Sequence, residues 1–586
     1  MSIAELVPRW PGLPEPDGPI MEGASLRGRS YRMRSHGEAD LRASSVMGAR
    51  GFGGDLEPFL KPTLKRDMPD PRLLRDMDVA AARLAAAVRN RDRIVVFGDY
   101  DVDGAASSAV IGRWFAGMGI DVEVYIPDRL TEGYGPTPGA IARATKSGPD
   151  LLICVDCGTA AVDVLEAVEC DVVVIDHHKQ QGELPVITAL VNPHRNDDTS
   201  ELGMLCATAL AFLVVVAAER ILRDDGDVPA GAPKVRDLLD IVALATVADV
   251  VPLIGPSRLF VSKGLEVMIV NPSPGIEALM KVAGIEDASA GRIGFALGPR
   301  INAGGRVGAG SSGVDGALGV RLLMAPTLED ATPIAMQLDA MNRERQEVEK
   351  KCLEEAMNQA QAQADRGARI IAVFGDGWHP GVVGIVAGRI KERYDVPTLV
   401  GALDKGIIKG SGRSMPGFDL GEVIVEAKRR GLLETGGGHA MACGFGCRLE
   451  GWQDFAEFLT RKAKWESVPI AVDCIVEGSS VSEDGIESLA MLEPVGQGNP
   501  SVKAAISGLR VAGVQQMKNG HVKLSLRHAG GGEIQGLWWR AGDEGFEDIL
   551  LGMKDVEVIA IGSPKIDEWR GVRRISMELA DLVPVP

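Results

Sequence analysis

The stretch Arg93-Ile94-Val95-Val96-Phe97-Gly98-Asp99-Tyr100-Asp101-Val102-Asp103-Gly104 decides how this chain is read. An apolar run of strand length stops at a glycine, and three carboxylates follow within five residues. A run that is apolar at every position signals a strand buried on both faces. Runs at 122–126, 151–155 and 172–175 repeat the pattern, with helical segments at 105–118 and 160–169 between them. Strands alternating with helices predict a parallel sheet covered on both sides. In such sheets the ligand site lies outside the carboxyl ends of the strands. At those ends stand Asp99, Asp101 and Asp103, then Asp156 after the third run, then Asp176-His177-His178 after the fourth. Asp249 closes a further apolar stretch at 238–248. Carboxylates this close repel one another, so such a loop is either fully solvated or neutralised by cations. Mixed carboxylate and imidazole ligands suit Mn2+ or Mg2+ better than a thiolate-preferring metal. Four or five carboxylates are enough to hold two divalent ions about 3.5–4 Å apart, the arrangement used for phosphoester hydrolysis.

The rest of the chain frames that cluster. Its 586 residues exceed one ordinary domain; at ~100–200 residues per domain, three to five units are expected. With 45% hydrophobic and 25% charged residues, the composition excludes a disordered or fibrous protein. The net charge of −18, from 81 acidic against 63 basic residues, argues against indiscriminate coating of nucleic acid or membranes. A phosphate-rich ligand then has to be held by a local basic patch or by metal ions. The N-terminus lacks a basic region followed by an apolar core, so no signal peptide is expected. The longest apolar stretch, 206–218, is shorter than the ~20 residues that span a bilayer and reads as a buried helix. Eight sparse, irregularly spaced cysteines fit a reducing cytoplasm, and the isolated Cys154–Cys157 and Cys443–Cys447 pairs read as ordinary core thiols.

Residues 1–75 are rich in Gly, Pro and charge and predict an extended or partly ordered arm. Helices are expected at 80–88, 235–251 and 257–269. A long helical stretch at 328–366, without Gly or Pro after Pro333, is suited to bridging two domains. A second α/β unit follows at 368–465. Over 368–464 it carries 14 basic and 11 acidic residues, +3 in a chain of −18, which marks it as the home of a polyanion contact. From 468 the pattern changes to short strands at 508–516, 522–527, 533–539, 555–561 and 572–579. Asn519-Gly520 between two of them is a hairpin signal. These strands predict a small barrel of the oligonucleotide-binding (OB) type, with a ligand-free sandwich as the alternative. The expected domains are the arm at 1–75, a first α/β domain at 76–327, the bridging helix at 328–367, a second α/β domain at 368–466 and the barrel at 467–586.

The motifs carry a resemblance. Gly98–Gly104 with Asp176-His177-His178 resembles the DHH phosphoesterase superfamily, and Gly436-Gly437-Gly438-His439 with Ala442-Cys443-Gly444 resembles the DHHA1 domain. Between and beyond them lie Thr246–Leu253, Gly298-Pro299-Arg300-Ile301-Asn302-Ala303-Gly304-Gly305-Arg306, Trp378–Gly384, Lys409–Ser414 and Glu493-Pro494-Val495-Gly496-Gln497-Gly498-Asn499-Pro500. From about residue 80 onward, the whole order is similar to the RecJ family of single-stranded-DNA-specific exonucleases. Phe97, the glycine-free segment 205–210 and Val495 depart from the usual pattern of that family, and none of them is a candidate metal ligand.

The resemblance implies two α/β domains, DHH-like and DHHA1-like, joined by a long helix around a cleft, with a C-terminal OB-type barrel. It implies a 5′-to-3′ exonuclease that uses two Mn2+ or Mg2+ ions to release 5′-mononucleotides from single-stranded DNA, in repair and recombination. Asp99, Asp101, Asp103, Asp156, His177 and Asp249 would bind metal. His178, with Asp156 and Asp103, would do the chemistry beside the scissile phosphate. Arg129, Arg300 and Arg306 would face the strand; Ser411 and Arg413 would hold the 5′ phosphate, and His439 would face the cleft. Trp538 and Trp539 are candidates for base stacking, but neighbours on a strand face opposite ways, so at most one can do so. The expected protein is a cytoplasmic monomer without a membrane partner, working with a single-strand-binding protein or a helicase. Two other readings compete. One is a DHH phosphodiesterase acting on short oligonucleotides or small phosphoesters, but such chains are usually shorter and lack a terminal barrel. The other is a non-catalytic strand-binding scaffold, but such proteins have lost metal ligands that are all present here.

Overall fold

The computed structural model of the chain describes residues 13, 15–21, 24–34, 40–128, 132, 133, 135–306, 316–542, 544–569 and 571–585. Two compact units are present. The first comprises 55–344 with 493–500; the second comprises 14–54, 345–492 and 501–586.

The first unit is built on five strands: β1 Ile94–Gly98, β2 Val122–Tyr125, β3 Leu151–Val155, β4 Asp171–Ile175 and β5 Ala189–Val191. All neighbours are parallel and the order is β2-β1-β3-β4-β5. The order reverses direction between β1 and β3, which makes that edge the switch point of a doubly wound sheet. β1 and β3 are buried along their whole length, as expected of strands covered on both faces. Ile94 and Val96 point into a core shared with helices α1 Met77–Asn90, α2 Val102–Gly117 and α3 Ala207–Asp224. Val95 and Phe97 point the other way, onto Ala140, Ile141 and Leu165. Phe97 stacks on Tyr125 with ring centroids 5.7 Å apart. Helices α4 Leu239–Ala248, α5 Gly255–Val270 and α6 Gly298–Arg306 complete the unit. The stretch expected as a buried helix is α3, and Gly255-Pro256 opens α5, where a proline at the first turn gives up no hydrogen bond. Helix α7, Leu328–Ala364, runs from the first unit into the second.

The second unit holds a five-stranded sheet in the order Thr435–His439, Ala442–Arg448, Ile407–Arg413, Thr398–Asp404, Ile371–Asp376. Only the last pair is parallel. Beyond it, the strands Ala504–Gln516, Val522–His528, Glu533–Trp538, Val572–Pro584 and Glu557–Trp569 pair in that order. The first and last of these also pair with each other, closing a five-stranded barrel. One parallel contact, between Glu533–Trp538 and Val572–Pro584, completes OB-type connectivity. The connection at Asn519-Gly520 is not a two-residue turn. Val522 pairs with Gln516, and Met517 N donates to His521 O across a longer loop.

Residues 1–75, expected as an extended or partly ordered arm, carry short elements in their described part. Tyr31–Met33 pairs in parallel with Ile470–Val472, and helices form at Ala43–Ala49, Glu57–Leu60 and Leu64–Asp67. Arg50 is fully buried on Asp473, and the Tyr31 hydroxyl donates to Asp581. These elements are too short to show periodicity, and the partners that hold them lie hundreds of residues away.

Candidate metal centre

The loop after β1 is shaped by the same carboxylates that were read as ligands. Asp101 caps α2 by accepting from the amides of Asp103 and Gly104. A side chain at Gly104 would meet the Asp99 backbone at 2.4 Å, so only glycine lets the loop close this tightly. Asp103 is buried and caps a different helix: its carboxylate accepts from Ala207 N at 2.7 Å, Thr208 N at 2.9 Å and Thr208 Oγ1 at 2.6 Å. Those amides belong to the glycine-free segment that departs from the family pattern.

β3 and β4 deliver the remaining groups to the same edge. Asp156 sits at φ +60, a conformation that few residues other than glycine adopt, and is buried. His177 Nε2 lies 3.3 Å from Asp156 Oδ1, 3.7 Å from Asp249 Oδ2 and 3.8 Å from Asp103 Oδ2. Ligand atoms of Asp99, Asp101 and Asp156 lie within 4.8 Å of one another, as do those of Asp103, His177 and Asp249. The six residues expected to bind metal are therefore brought together as two neighbouring triads, with Asp156 at the junction.

The electrostatics fit a divalent cation. Burial, and then the carboxylates of Asp103, Asp101 and Asp99, push the Asp156 carboxyl well above its usual range. Burial, followed by Asp103 and Asp101, pushes Asp249 up to about 8. Asp156 Oδ1 and Asp249 Oδ2 are buried without a hydrogen-bond partner. An unmade bond on a buried carboxylate is costly, and a positive ion between the two triads removes that cost. Burial lowers the pKa of His177, which favours the neutral imidazole that binds metal.

His178 is different. Its Nδ1 sits 2.8 Å from Asp176 Oδ1, and that hydrogen bond outweighs burial and pushes the ring up to about 9. Burial acts to raise Asp176, but hydrogen bonds from His178 and Thr159 hold it well below the usual carboxylate range. Asp176 was quoted in the motif but given no role by the sequence; here it fixes His178. Asn192 and His194 were missed altogether. Asn192 Nδ2 donates to His178 O and Thr159 Oγ1, each at 2.8 Å, and His194 Nδ1 meets His177 O. Asn192 follows β5 directly, so the strand-end rule that found the other residues could have found it too.

The candidate strand-binding residues are placed less uniformly. Arg300 donates to Asp339 at 2.9 Å and to Ala296 O, so its guanidinium is engaged within the first unit. Arg306 ends α6, whose Gly305 packs against Tyr100 of the aspartate loop. Arg129 lies outside the described residues. In the second unit Arg413 donates to Ser411 Oγ at 2.8 Å, and Ser411 Oγ donates to Cys443 O. A side chain at Gly384, near the start of the helix Val383–Tyr394, would meet both. Arg413 has no carboxylate partner among the described residues, and burial lowers its pKa. Ala442 pairs with His439 on one side and Arg413 on the other, so these side chains project from one face of the sheet. In the barrel Trp538 is 1% exposed and Trp539 44%, so Trp538 is core and only Trp539 is available to a ligand.

A doubly wound sheet that gathers carboxylates and imidazoles at its switch point belongs with the metal-dependent phosphoesterases. Comparison with known proteins agrees: the DHH family N-terminal domain matches residues 93–246, the DHHA1 domain 367–465 and the RecJ OB domain 472–581. The single-stranded-DNA-specific exonuclease RecJ of Dickeya dadantii is 33% identical over 89% of this chain and 92% of its own length. The crystal structure of RecJ from Thermus thermophilus in complex with Mn2+ superposes with a TM-score of 0.74 at 28% identity, covering 90% of this chain and 74% of that one. The corresponding Mg2+ complex gives 0.69 at the same identity, over 90% and 73% of the two chains. The chain belongs to the RecJ family of exonucleases. No described helix is long and apolar enough to cross a membrane.

Proposed function

We propose that this protein is a Mn2+- or Mg2+-dependent exonuclease that degrades single-stranded DNA from the 5′ end to 5′-mononucleotides, in repair and recombination. The observation that carries the reading is the pair of buried carboxylate oxygens without partners, Asp156 Oδ1 and Asp249 Oδ2, inside a cluster of six ligands. Asp99, Asp101 and Asp156 would hold one ion, and Asp103, His177 and Asp249 the other. Bound divalent ions supply a water of lowered pKa and neutralise the charge of the attacked phosphate. Asp176 keeps His178 protonated at neutral pH, so the ring presents a charged donor to a phosphate oxygen or to the leaving group. Ser411 and Arg413 bind the terminal 5′ phosphate through a hydroxyl and a guanidinium fork, with His439 on the same face of that sheet. Arg129 and Arg306 contact the strand, and Arg300 exchanges Asp339 for a phosphate. Trp539 stacks a base in the barrel. The protein acts as a cytoplasmic monomer, with a single-strand-binding protein or helicase as its partner.

Single- and double-stranded DNA labelled at either end, alongside dinucleotides, digested with Mn2+, with Mg2+ and with EDTA, tests the whole reading. Mononucleotides released from the 5′ end of single strands, and only with metal, are expected. Release from the 3′ end, equal attack on duplex or faster turnover of dinucleotides overturns it.

A further inference from the structure

The motif Glu493–Pro500 has no part in the chemistry above, yet it folds onto the loop that carries Asp249. Asp249 caps the C-terminal end of α4, and Val250 follows it at φ +59. A β-branched residue in that conformation persists only where its surroundings over-determine it. Four residues past Asp249, Leu253 N donates to Gln497 O at 2.7 Å. The acceptor sits in a tight turn in which Gly496 N donates to Asn499 O and Asn499 N to Gly496 O, with Asn499 Nδ2 bonded to Pro494 O at 2.9 Å. The base of the turn is gripped by Arg258 of α5. This buried guanidinium donates to Pro494 O at 3.0 Å, to Glu493 O at 2.7 Å and to Phe59 O, and lies 4.0 Å from the centroid of the Phe59 ring. Two glycines of the turn lie against this loop: a side chain at Gly496 would meet Leu253 Cδ1 at 2.7 Å, and Gly498 combines close approach with a left-handed backbone. At φ +73, a side chain there would meet Pro252 Cβ at 3.2 Å and Ile254 Cγ2 at 3.3 Å.

We propose that Glu493–Pro500 is a strap that positions Asp249, so that metal affinity in the first unit depends on a segment supplied from far downstream in the chain. On one side Asp249 is fixed by α4, with Asp249 N donating to Ala245 O at 2.9 Å; on the other its backbone leads straight into the strained Val250, and one of its carboxylate oxygens has no partner. The strap fixes the far end of that short loop by one backbone hydrogen bond and by packing on Pro252 and Leu253. The inference rests on Asp249 being a metal ligand.

The test uses the full chain with three substitutions. Gly498→Ala pushes the turn off Pro252. Gly531→Ala is the control: it also sits at positive φ, but a side chain there meets nothing within 4 Å. Asp249→Asn removes the ligand itself. Two readouts are taken, Mn2+ affinity from the electron paramagnetic resonance signal of free Mn2+, and hydrogen exchange of the Leu253 amide in metal-free protein. Gly498→Ala is expected to weaken Mn2+ binding ~10-fold, as loss of an outer supporting group does, and to speed exchange at Leu253. Gly531→Ala should change neither. If Gly498→Ala binds Mn2+ like the parent while Asp249→Asn does not, the strap is refuted and the metal reading stands. If Asp249→Asn binds Mn2+ like the parent, the metal reading itself fails. Should Gly498→Ala not fold, Asn499→Ala, which removes the side-chain bond to Pro494 O, is judged by the same two readouts.

Discussion

Replacing Asp249 by Asn should stabilise the metal-free protein and sharply lower its activity. In the folded, metal-free state the Asp249 carboxyl is pushed up to about 8, against an ordinary value of 3.8. The folded state therefore keeps a proton that the unfolded chain releases. Stability is complete below about pH 4 and is lost as pH rises towards about 8. Each pH unit of that window costs about 1.36 kcal/mol, which gives roughly 4 kcal/mol at pH 7 as an upper bound. Burial is the largest cause of that shift and repulsion by Asp103 and Asp101 the next, and these carboxylates titrate together, so removing one recovers only part of it, about 1–3 kcal/mol. An asparagine carries no charge to bury. Metal-free Asp249→Asn should then melt higher than the parent at pH 8, by roughly 2–4 °C per kcal/mol. The gap should close as the pH approaches 4.

Metal reverses the order. At Mn2+ about 100-fold above its dissociation constant, the parent gains ~2.7 kcal/mol that the variant largely forgoes. Exonuclease activity should fall by about 10²-fold or more, the usual scale for losing one electrostatic contact to the transition state. Thermal melts in EDTA at pH 5, 6, 7 and 8, repeated with Mn2+ and paired with release of a 5′ label, read all three effects. A variant that melts below the parent in EDTA at pH 8, or that is stabilised by Mn2+ as strongly as the parent, refutes the reasoning. Asp249 would then be a structural carboxylate rather than a repelled one waiting for a cation.

Three other outcomes follow from the same geometry. Asp176→Asn removes the partner that pushes His178 up to about 9, so the ring should titrate nearer its ordinary value and activity should fall on the alkaline side of neutrality; an unchanged pH–rate profile counts against a protonated His178. Arg413→Lys replaces a fork by a single point charge and should raise KM for 5′-phosphorylated strands ~10-fold, about 1.4 kcal/mol, with little change for 5′-hydroxyl strands; equal effects on both would place Arg413 elsewhere. Trp539→Ala should weaken single-strand binding by about 1–3 kcal/mol at unchanged melting temperature, whereas Trp538→Ala should cost about 3–5 kcal/mol of stability; the reverse pattern, read by fluorescence anisotropy and thermal melts, would invert the two assignments.

Much of the candidate site was legible because its candidate ligands are tied to local events. β1 and β3 announce themselves as continuous apolar runs, and the residue after each run stands at the sheet's carboxyl edge whatever the rest of the chain does. Asp99, Asp156 and His177 could be located from that rule alone. What was not legible is partner choice over distance. Nothing in the sequence joins Arg50 to Asp473, Arg300 to Asp339, or Asp103 to the amides at Ala207 and Thr208. Each of these pairings depends on where whole helices come to rest. The elements of the arm were not legible for the same reason: its helices are a turn or two long, and their burial is created by other segments. At Asn519-Gly520 the turn chemistry correctly marked the reversal, but the loop length was set by the register of the flanking strands, Gln516 against Val522.

The aspartate loop also shows why a carboxylate cluster alone is an ambiguous signal. Asp101 and Asp103 each have a sufficient structural explanation, because each caps a helix, and a capping carboxylate contributes about 1 kcal/mol without any metal. A sequence rich in aspartate at a strand–helix junction would look the same if capping were its only role. The distinction comes from the two carboxylates that cap nothing. Asp156 is held in a left-handed backbone conformation, and Asp249 is followed by one at Val250. Both present a buried oxygen with no hydrogen-bond donor, and burial and neighbouring charge push both carboxyls up. A protein gains no stability from such an arrangement, and a bound cation is what would offset its cost. The overall charge of −18 therefore conceals two kinds of carboxylate, those already satisfied by helix amides and arginines, and a few buried ones whose charge only a cation would offset.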